Sequence, residues 1–507
     1  MVQLKRNIKG RALKVRLPRL AHKKYINLLM LLRVEGWLLS IEAIFMLIPC
    51  VIALIYEPES SLPFFIVAGI TGSVGVLMTL INPKSKEMGR REAILLTGLT
   101  WVILSLFGML PFIFYGTHMS VTDAFFETMS GFTTTGATVL YSLVDVPKSI
   151  ILWRCLIQWF GGLGILLFTL AVVPMLNSSG GMLLFNAEVT GITHDKLRPR
   201  VSATAKGLWL VYIVLTAMLV VLLAFSDMDF FNALCYAMST MSTGGFSTSD
   251  DGIALYNTLY VKVVMVVFMF LGGVNLSLIY NAVSGKVMNI FRNTVFKAYL
   301  CFVLAGYLLI SADVLLEGLY EDVSDVTIDP LFQTVSMLSS TGIAAPGFSS
   351  WGPLAVVVIL VLMFVGACAG STSGGAKIDR FIVLFKFIKN EFYKIMHPSS
   401  VTTVILNGRG TNPAIIHKTL AFLFLYIIVI VVGGTVISLF GIPLADGVFC
   451  ALQAVSNMGM GTDTTGLNGD YSLMPDAVKW LLSFLMLVGR LEIFTVILVF
   501  TPGFWKR

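Results

Sequence analysis

The chain is built on a succession of apolar stretches, near 29–56, 63–82, 94–115, 150–176, 207–225, 259–283, 298–316, 353–366, 418–440 and 477–500, and no other feature constrains its fold as strongly. A bilayer core of ~30 Å needs about 20 apolar residues in a helix. Lipid admits only elements whose backbone polar groups are satisfied internally. Composition points the same way: 57% of the 507 residues are hydrophobic and 12% charged, about half the charged share of a soluble domain. So few polar residues cannot cover the surfaces of a soluble protein this long. Soluble-enzyme, nucleic-acid-binding and disordered classes are thereby excluded. The expectation is an all-α polytopic membrane protein, with the stretch at 353–366 too short for a span.

Charge placement gives the orientation. Residues 1–24 carry nine Lys/Arg and no acid, and most other basic residues crowd into 84–91, 196–206, 286–297, 377–418 and the C-terminus. The segments between are acidic, as in Asp250-Asp251 and Glu317 to Asp329. Basic loops stay cytoplasmic, which places both termini in the cytoplasm. The six cysteines are scattered singly through apolar stretches with no CxxC, so they read as small buried hydrophobes rather than a disulfide or zinc framework.

Four short interludes overlay without gaps: DAFFETMSGFTTTGAT from Asp123, NALCYAMSTMSTGGFS from Asn232, DPLFQTVSMLSSTGIA from Asp329 and DGVFCALQAVSNMGMG from Asp446. Each reaches a glycine 13 residues on: Gly136, Gly245, Gly342 and Gly459. The unit is helix, short re-entrant helix, loop, helix, four times over and preceded by an extra helix pair. Asp123, Asn232, Asp329 and Asp446 are expected to cap the short helices. The negative C-terminal poles would then converge inside the membrane, where they favour a cation.

The loops are Thr134-Thr135-Gly136, Thr243-Gly244-Gly245, Ser340-Thr341-Gly342 and Asn457-Met458-Gly459. Irregular backbone at membrane depth is tolerated where it is buried in protein or lines a watery path. Glycine permits the backbone angles that aim successive carbonyls one way. Rings of carbonyls that replace a hydration shell are how potassium filters work. The fourth loop, continuing to Met460-Gly461, has the glycine spacing of the TVGYG filter, and the others keep only the first glycine. The plainer alternative is four tight turns that pack.

With SGFTTTGAT, STGGFST and GACAGSTSGGAK, the chain resembles the Trk/Ktr/HKT superfamily of potassium transporters over roughly residues 90–500. The additional pair at 29–82 is similar to the bacterial Trk-type, TrkH/TrkG-like membrane subunit. The resemblance implies four pseudo-symmetric helix–pore-loop–helix repeats around one pore, at 93–176, 206–284, 296–396 and 414–501, behind a basic tail at 1–28. It implies K+ as the transported ion, held at the four loops, and no organic cofactor. It also implies a homodimer in the bacterial inner membrane, surrounded by lipid, with a cytosolic TrkA-like nucleotide-binding regulatory ring and no nucleic acid. Serine at the first glycine position goes with sodium permeation in some members; Gly136 favours potassium. Met460 stands where bacterial relatives commonly have proline.

Two features lie beyond the loops. Trp159-Phe160-Gly161-Gly162, Phe270-Leu271-Gly272-Gly273, Phe364-Val365-Gly366-Ala367 and Leu487-Val488-Gly489-Arg490 align by pattern, and only the last ends in a charge. A mid-membrane arginine costs about 3 kcal/mol even on gentle scales and marks a pathway; the resemblance puts Arg490 beneath the filter. The run 366–377 interrupts a helix in the third repeat, and Gly370, Ser371, Thr372, Ser373, Gly374 and Gly375 are expected to close the pore. The alternative is a cytosolic linker. As a nucleotide loop the run fails, because Ala376 displaces the lysine. An ion-coupled symporter is the competing function class, and no acid–base constellation supports an enzyme.

Overall fold

The computed structural model describes residues 26–58, 61–83, 88–114, 119–172, 201–318, 323–460 and 471–505. The basic tail, the stretch 173–200, Asp470 and Gly461 lie outside the described residues. Among the described residues the fold is all-α apart from a hairpin of two two-residue antiparallel strands, Ile405–Leu406 with Arg409–Gly410, turning on Asn407-Gly408. Among the described residues six helices are individually long and apolar enough to cross a membrane, or up to eight if each of two bent pairs is one span.

The leading pair is Leu28–Tyr56 and Ser61–Thr79. It packs through small residues: a Cβ on Gly36 would fall 2.7 Å from the Gly75 carbonyl oxygen, the close backbone approach that joins helices in lipid. The pattern of long helix, short helix and second helix then recurs. First come Arg90–Gly108, Val121–Phe132 and Lys148–Val172. Next are Val201–Ala224, Phe230–Ser242 and Leu259–Gly273. The third set is Thr294–Glu317, Val323–Leu338 and Pro353–Val365, and the fourth Pro413–Ser438, Leu444–Ser456 and Asp476–Arg490. The short helices form the centre of the buried core; residues 124–132 of the first are all buried.

The capping expectation is corrected at all four positions. Ser120, not Asp123, caps the first short helix: its hydroxyl accepts from the Asp123 amide at 3.1 Å and donates to the Asp123 carboxylate at 2.8 Å. Asp229 and Pro443 hold the cap positions of the second and fourth, three residues before Asn232 and Asp446. The third helix starts at Val323, so Asp329 and Pro330 lie within it. The aligned column therefore sits in or past the first turn. A carboxylate near the positive end is favoured there for the same electrostatic reason as at the cap itself, so composition does not separate the two registers.

The spans expected at 259–283 and 477–500 are each sharply bent. Leu259–Gly273 turns through 105° into Leu276–Val283, and Asp476–Arg490 through 117° into Ile493–Phe500. In the third repeat Pro353–Val365 stops at Gly366, at the equivalent level, and the chain resumes as Ile378–Met396. Three of the four second helices thus break where the aligned Gly-Gly, Gly-Ala and Gly-Arg pairs fall.

Candidate functional site

All four short helices end in one backbone motif. Thr135, Gly244, Thr341 and Met458 each donate their amide to the carbonyl five residues back, on Ser130, Ser239, Ser336 and Gln453, at 2.8–3.0 Å. Thr134, Thr243, Ser340 and Asn457 take left-handed φ of 51–55°. This is the glycine-type helix stop carried by Thr, Ser and Asn, with Asn the residue best suited to that region.

The next glycines bring the loops together in a ring. A Cβ on Gly136 would fall 2.0 Å from the Gly244 oxygen, and one on Gly245 2.2 Å from the Thr341 oxygen. Gly342 faces Met458 Cγ at 3.4 Å, and a Cβ on Gly459 would fall 1.9 Å from the Ala137 nitrogen, which closes the circuit. Three of the four therefore admit no side chain. The fourth loop departs in detail, since Gly459 lacks the positive φ of 74–84° found at the other three.

Side chains behind the loops fix their carbonyls. Gln158 Nε2 donates to the Gly244 oxygen at 2.7 Å, while its oxygen accepts from Ser239 Oγ and the Phe246 amide. Asn457 Nδ2 donates to the Met486 oxygen and to Thr135 Oγ1. Glu127, fully buried, is paired to Arg154 Nε at 2.7 Å and also accepts from the Val139 amide at 3.0 Å. Gln333 repeats that last contact on the Ala345 amide at 2.8 Å, without the charge.

Arg154, Gln158, Lys262 and Lys479 hold the loops and short helices in place and are not among the expected site residues. Lys262 pairs with Asp329 at 2.6 Å and Lys479 with Asp123 at 2.5 Å, each reaching from one repeat to the short helix of the next. The signal was available: a base buried early in a membrane helix must find a carboxylate. Asp250 likewise serves as a tie, accepting from Ser142 Oγ and the Leu143 amide. Breaking a buried pair leaves one uncompensated charge, at a cost of ~3 kcal/mol or more. Arg154→Met is accordingly expected to lower the unfolding temperature in detergent, and Arg154→Met with Glu127→Gln to recover part of the loss.

The run 366–377 packs directly against the ring. Thr372 Oγ1 contacts the Met241 and Gly272 oxygens at 3.2 Å and Thr243 Oγ1 at 3.4 Å. The Gly374 amide donates to Ser340 Oγ at 2.6 Å, and a Cβ on Gly374 would fall 3.0 Å from that of Asn457. Arg490 supplies the remaining contact, donating to Thr134 Oγ1 at 3.1 Å, the Thr372 oxygen at 2.9 Å and the Gly161 oxygen at 2.6 Å. Between them the run and Arg490 touch all four left-handed residues. Ser371 bonds within the run to the Cys368 oxygen and Ser373 Oγ, and Lys377 reaches back to Ser373. Thr372, Ser373 and Lys377 are buried, unlike residues of a cytosolic linker. Glu492, the nearest carboxylate to Arg490 in sequence, is paired with Arg380 instead.

The profile of the family described as TrkH, cation transport protein, matches residues 65–309 and 320–506. The chain is 33% identical over 479 residues to the Trk system potassium uptake protein TrkH of Escherichia coli K12, covering 94% of this chain and 99% of that one. It is 32% identical over 482 residues to TrkI of Halomonas elongata, at 94% and 97% coverage. The crystal structure of the potassium transporter TrkH from Vibrio parahaemolyticus superposes with a TM-score of 0.86 at 30% identity, over 94% of this chain and all of that one. These are transporters and not enzymes. The chain is a multi-pass membrane protein that belongs to the TrkH family of cation transport proteins.

Proposed function

We propose that the chain carries potassium inward across the bacterial inner membrane, through a filter made by the carbonyls of its four loops. The observation that carries this reading is the closed circuit of Gly136, Gly245, Gly342 and Gly459, each seated on the next loop. It is supported by four identical helix stops whose C-terminal poles favour a cation, and by relatives named potassium uptake proteins. Thr134, Thr135, Thr243, Gly244, Ser340, Thr341, Asn457 and Met458 complete the filter. Arg490 and residues 370–375 are its gate. Both termini are cytoplasmic, the working unit is a homodimer, and a cytosolic TrkA-like nucleotide-binding ring acts on the gate through the helix that follows it, Ile378–Met396.

Rubidium uptake into potassium-loaded proteoliposomes tests the reading. Uptake that follows the electrical and potassium gradients, with potassium preferred over sodium, is the expected result. Uptake that stops when the proton or sodium gradient is collapsed would transfer the chain to the ion-coupled class.

A further inference from the structure

The helix Leu28–Tyr56 lies outside the ring, yet it turns two glutamates inward. Glu35 accepts from Thr100 Oγ1 at 2.8 Å. Glu42, two turns further on and only 6% exposed, has no hydrogen-bond partner for either carboxyl oxygen among the described residues. Beside it is a cavity of about 60 Å³ whose walls include Phe45, Trp101, Phe132 and Phe160, with Thr97 and Thr100 as its other polar side chains.

A carboxyl group without a partner is costly at this depth, so the cavity calls for an occupant that brings donors. Its volume leaves room for a few particles of water size. A bare alkali ion is poorly served, because it needs a shell of oxygens to replace its water. Both threonine hydroxyls commit their one proton elsewhere, Thr97 to the Ala93 oxygen and Thr100 to Glu35 or the Leu96 oxygen, so neither supplies a donor to Glu42. Four aromatic side chains and one acid suit a different cation. N–H donors can satisfy both carboxyl oxygens in charge-assisted bonds, while the rings attract the remaining charge. We propose that Glu42 and this cavity form a binding site for a small ammonium ion, ammonium itself or a short primary ammonium, beside the pore.

The site reaches the ion path through residues already described. Phe132 is the last residue of the first short helix, two before Thr134. Gly161, also in the cavity wall, holds Arg490 by its carbonyl. The Trp101 ring lies 5.9 Å from the Arg490 guanidinium. A cation in the cavity therefore acts on the first loop and on the arginine together, and changes the rate of flux.

Thermal unfolding of the full chain in detergent, with saturating KCl to occupy the pore, provides the test. Methylammonium chloride is the probe and sodium chloride of equal ionic strength the control. Methylammonium is expected to raise the unfolding temperature by about 2–4 °C, the shift that ~1 kcal/mol of ligand stabilisation gives in a protein of some 200 residues and an upper figure for this longer chain. Glu42→Gln should remove the shift and Trp101→Leu should reduce it. In proteoliposomes, methylammonium should alter rubidium flux at saturating potassium in the parent and not in Glu42→Gln. No shift in the parent, or an equal shift in Glu42→Gln, overturns the proposal. A flux whose pH dependence is flattened by Glu42→Gln, with no methylammonium effect in the parent, also overturns it and assigns Glu42 to a proton.

Discussion

Arg490→Ala is expected to raise basal rubidium flux by more than about tenfold while leaving potassium preferred over sodium. Its guanidinium bridges the first loop at Thr134, the closing run at Thr372 and the second helix of the first repeat at Gly161. A monovalent cation about 4 Å from that charge meets ~4 kcal/mol of repulsion at an effective dielectric of 20, and each 1.4 kcal/mol of barrier is a factor of ten in rate. Deleting residues 371–375 should act in the same direction by removing the steric plug. The deletion also removes the contacts of Thr372 to Gly272 and of Gly374 to Ser340, so Thr372→Ala is the milder companion, expected to raise flux less. Combining Arg490→Ala with the deletion should give less than the product of the single effects, because Arg490 and the run hold one barrier through a shared bond. Flux at or below the parental level in both Arg490→Ala and Thr372→Ala would return the run and the arginine to a purely structural role.

The juxtaposition behind that expectation was readable in the sequence, and the reason is the recurring pattern of two apolar residues and a glycine in the second helices. That pattern puts Arg490 level with Ala367, inside the run 366–377. Register alone did not give the caps. Asp123 at the third helical position and Ser120 at the cap are one bonded pair, and either could have been taken as the start. The bends were hidden for another reason. Apolar residues resume directly beyond Asn275 and beyond Glu492, so the overall apolar content of each stretch gives no sign of turns of 105° and 117°. The signs that do exist are local: Asn275 caps the resumed helix through the Ser277 amide, and Glu492 holds a φ of 65°. The ties between repeats were least legible. Lys479 and Asp123 are separated by 356 positions, and only the closed ring makes them neighbours.

Gly136→Ser is expected to lower the potassium-to-sodium permeability ratio by about tenfold, equivalent to 1.4 kcal/mol of differential stabilisation, with the protein still folded. Two costs coincide at this position. The φ of 84° is one that L-residues adopt at a penalty of ~1–2 kcal/mol, and the new Cβ would fall 2.0 Å from the Gly244 oxygen. The strain relaxes by displacing that oxygen, a carbonyl held by Gln158 at 2.7 Å and proposed to contact the ion. A displaced carbonyl widens one quarter of the ring and admits an ion that keeps more of its water. The ring also predicts an order among the three glycines of positive φ. Gly245→Ser meets the Thr341 oxygen at 2.2 Å and should resemble Gly136→Ser. Gly342→Ser keeps the unfavourable φ of 74° but meets only the flexible Met458 side chain at 3.4 Å, so it should cost the least selectivity. Reversal-potential measurements on the three variants under mixed potassium and sodium decide the matter. Equal ratios in all three, or a larger loss at Gly342 than at Gly136, would show that the loops pack as turns and that ion selection is made elsewhere.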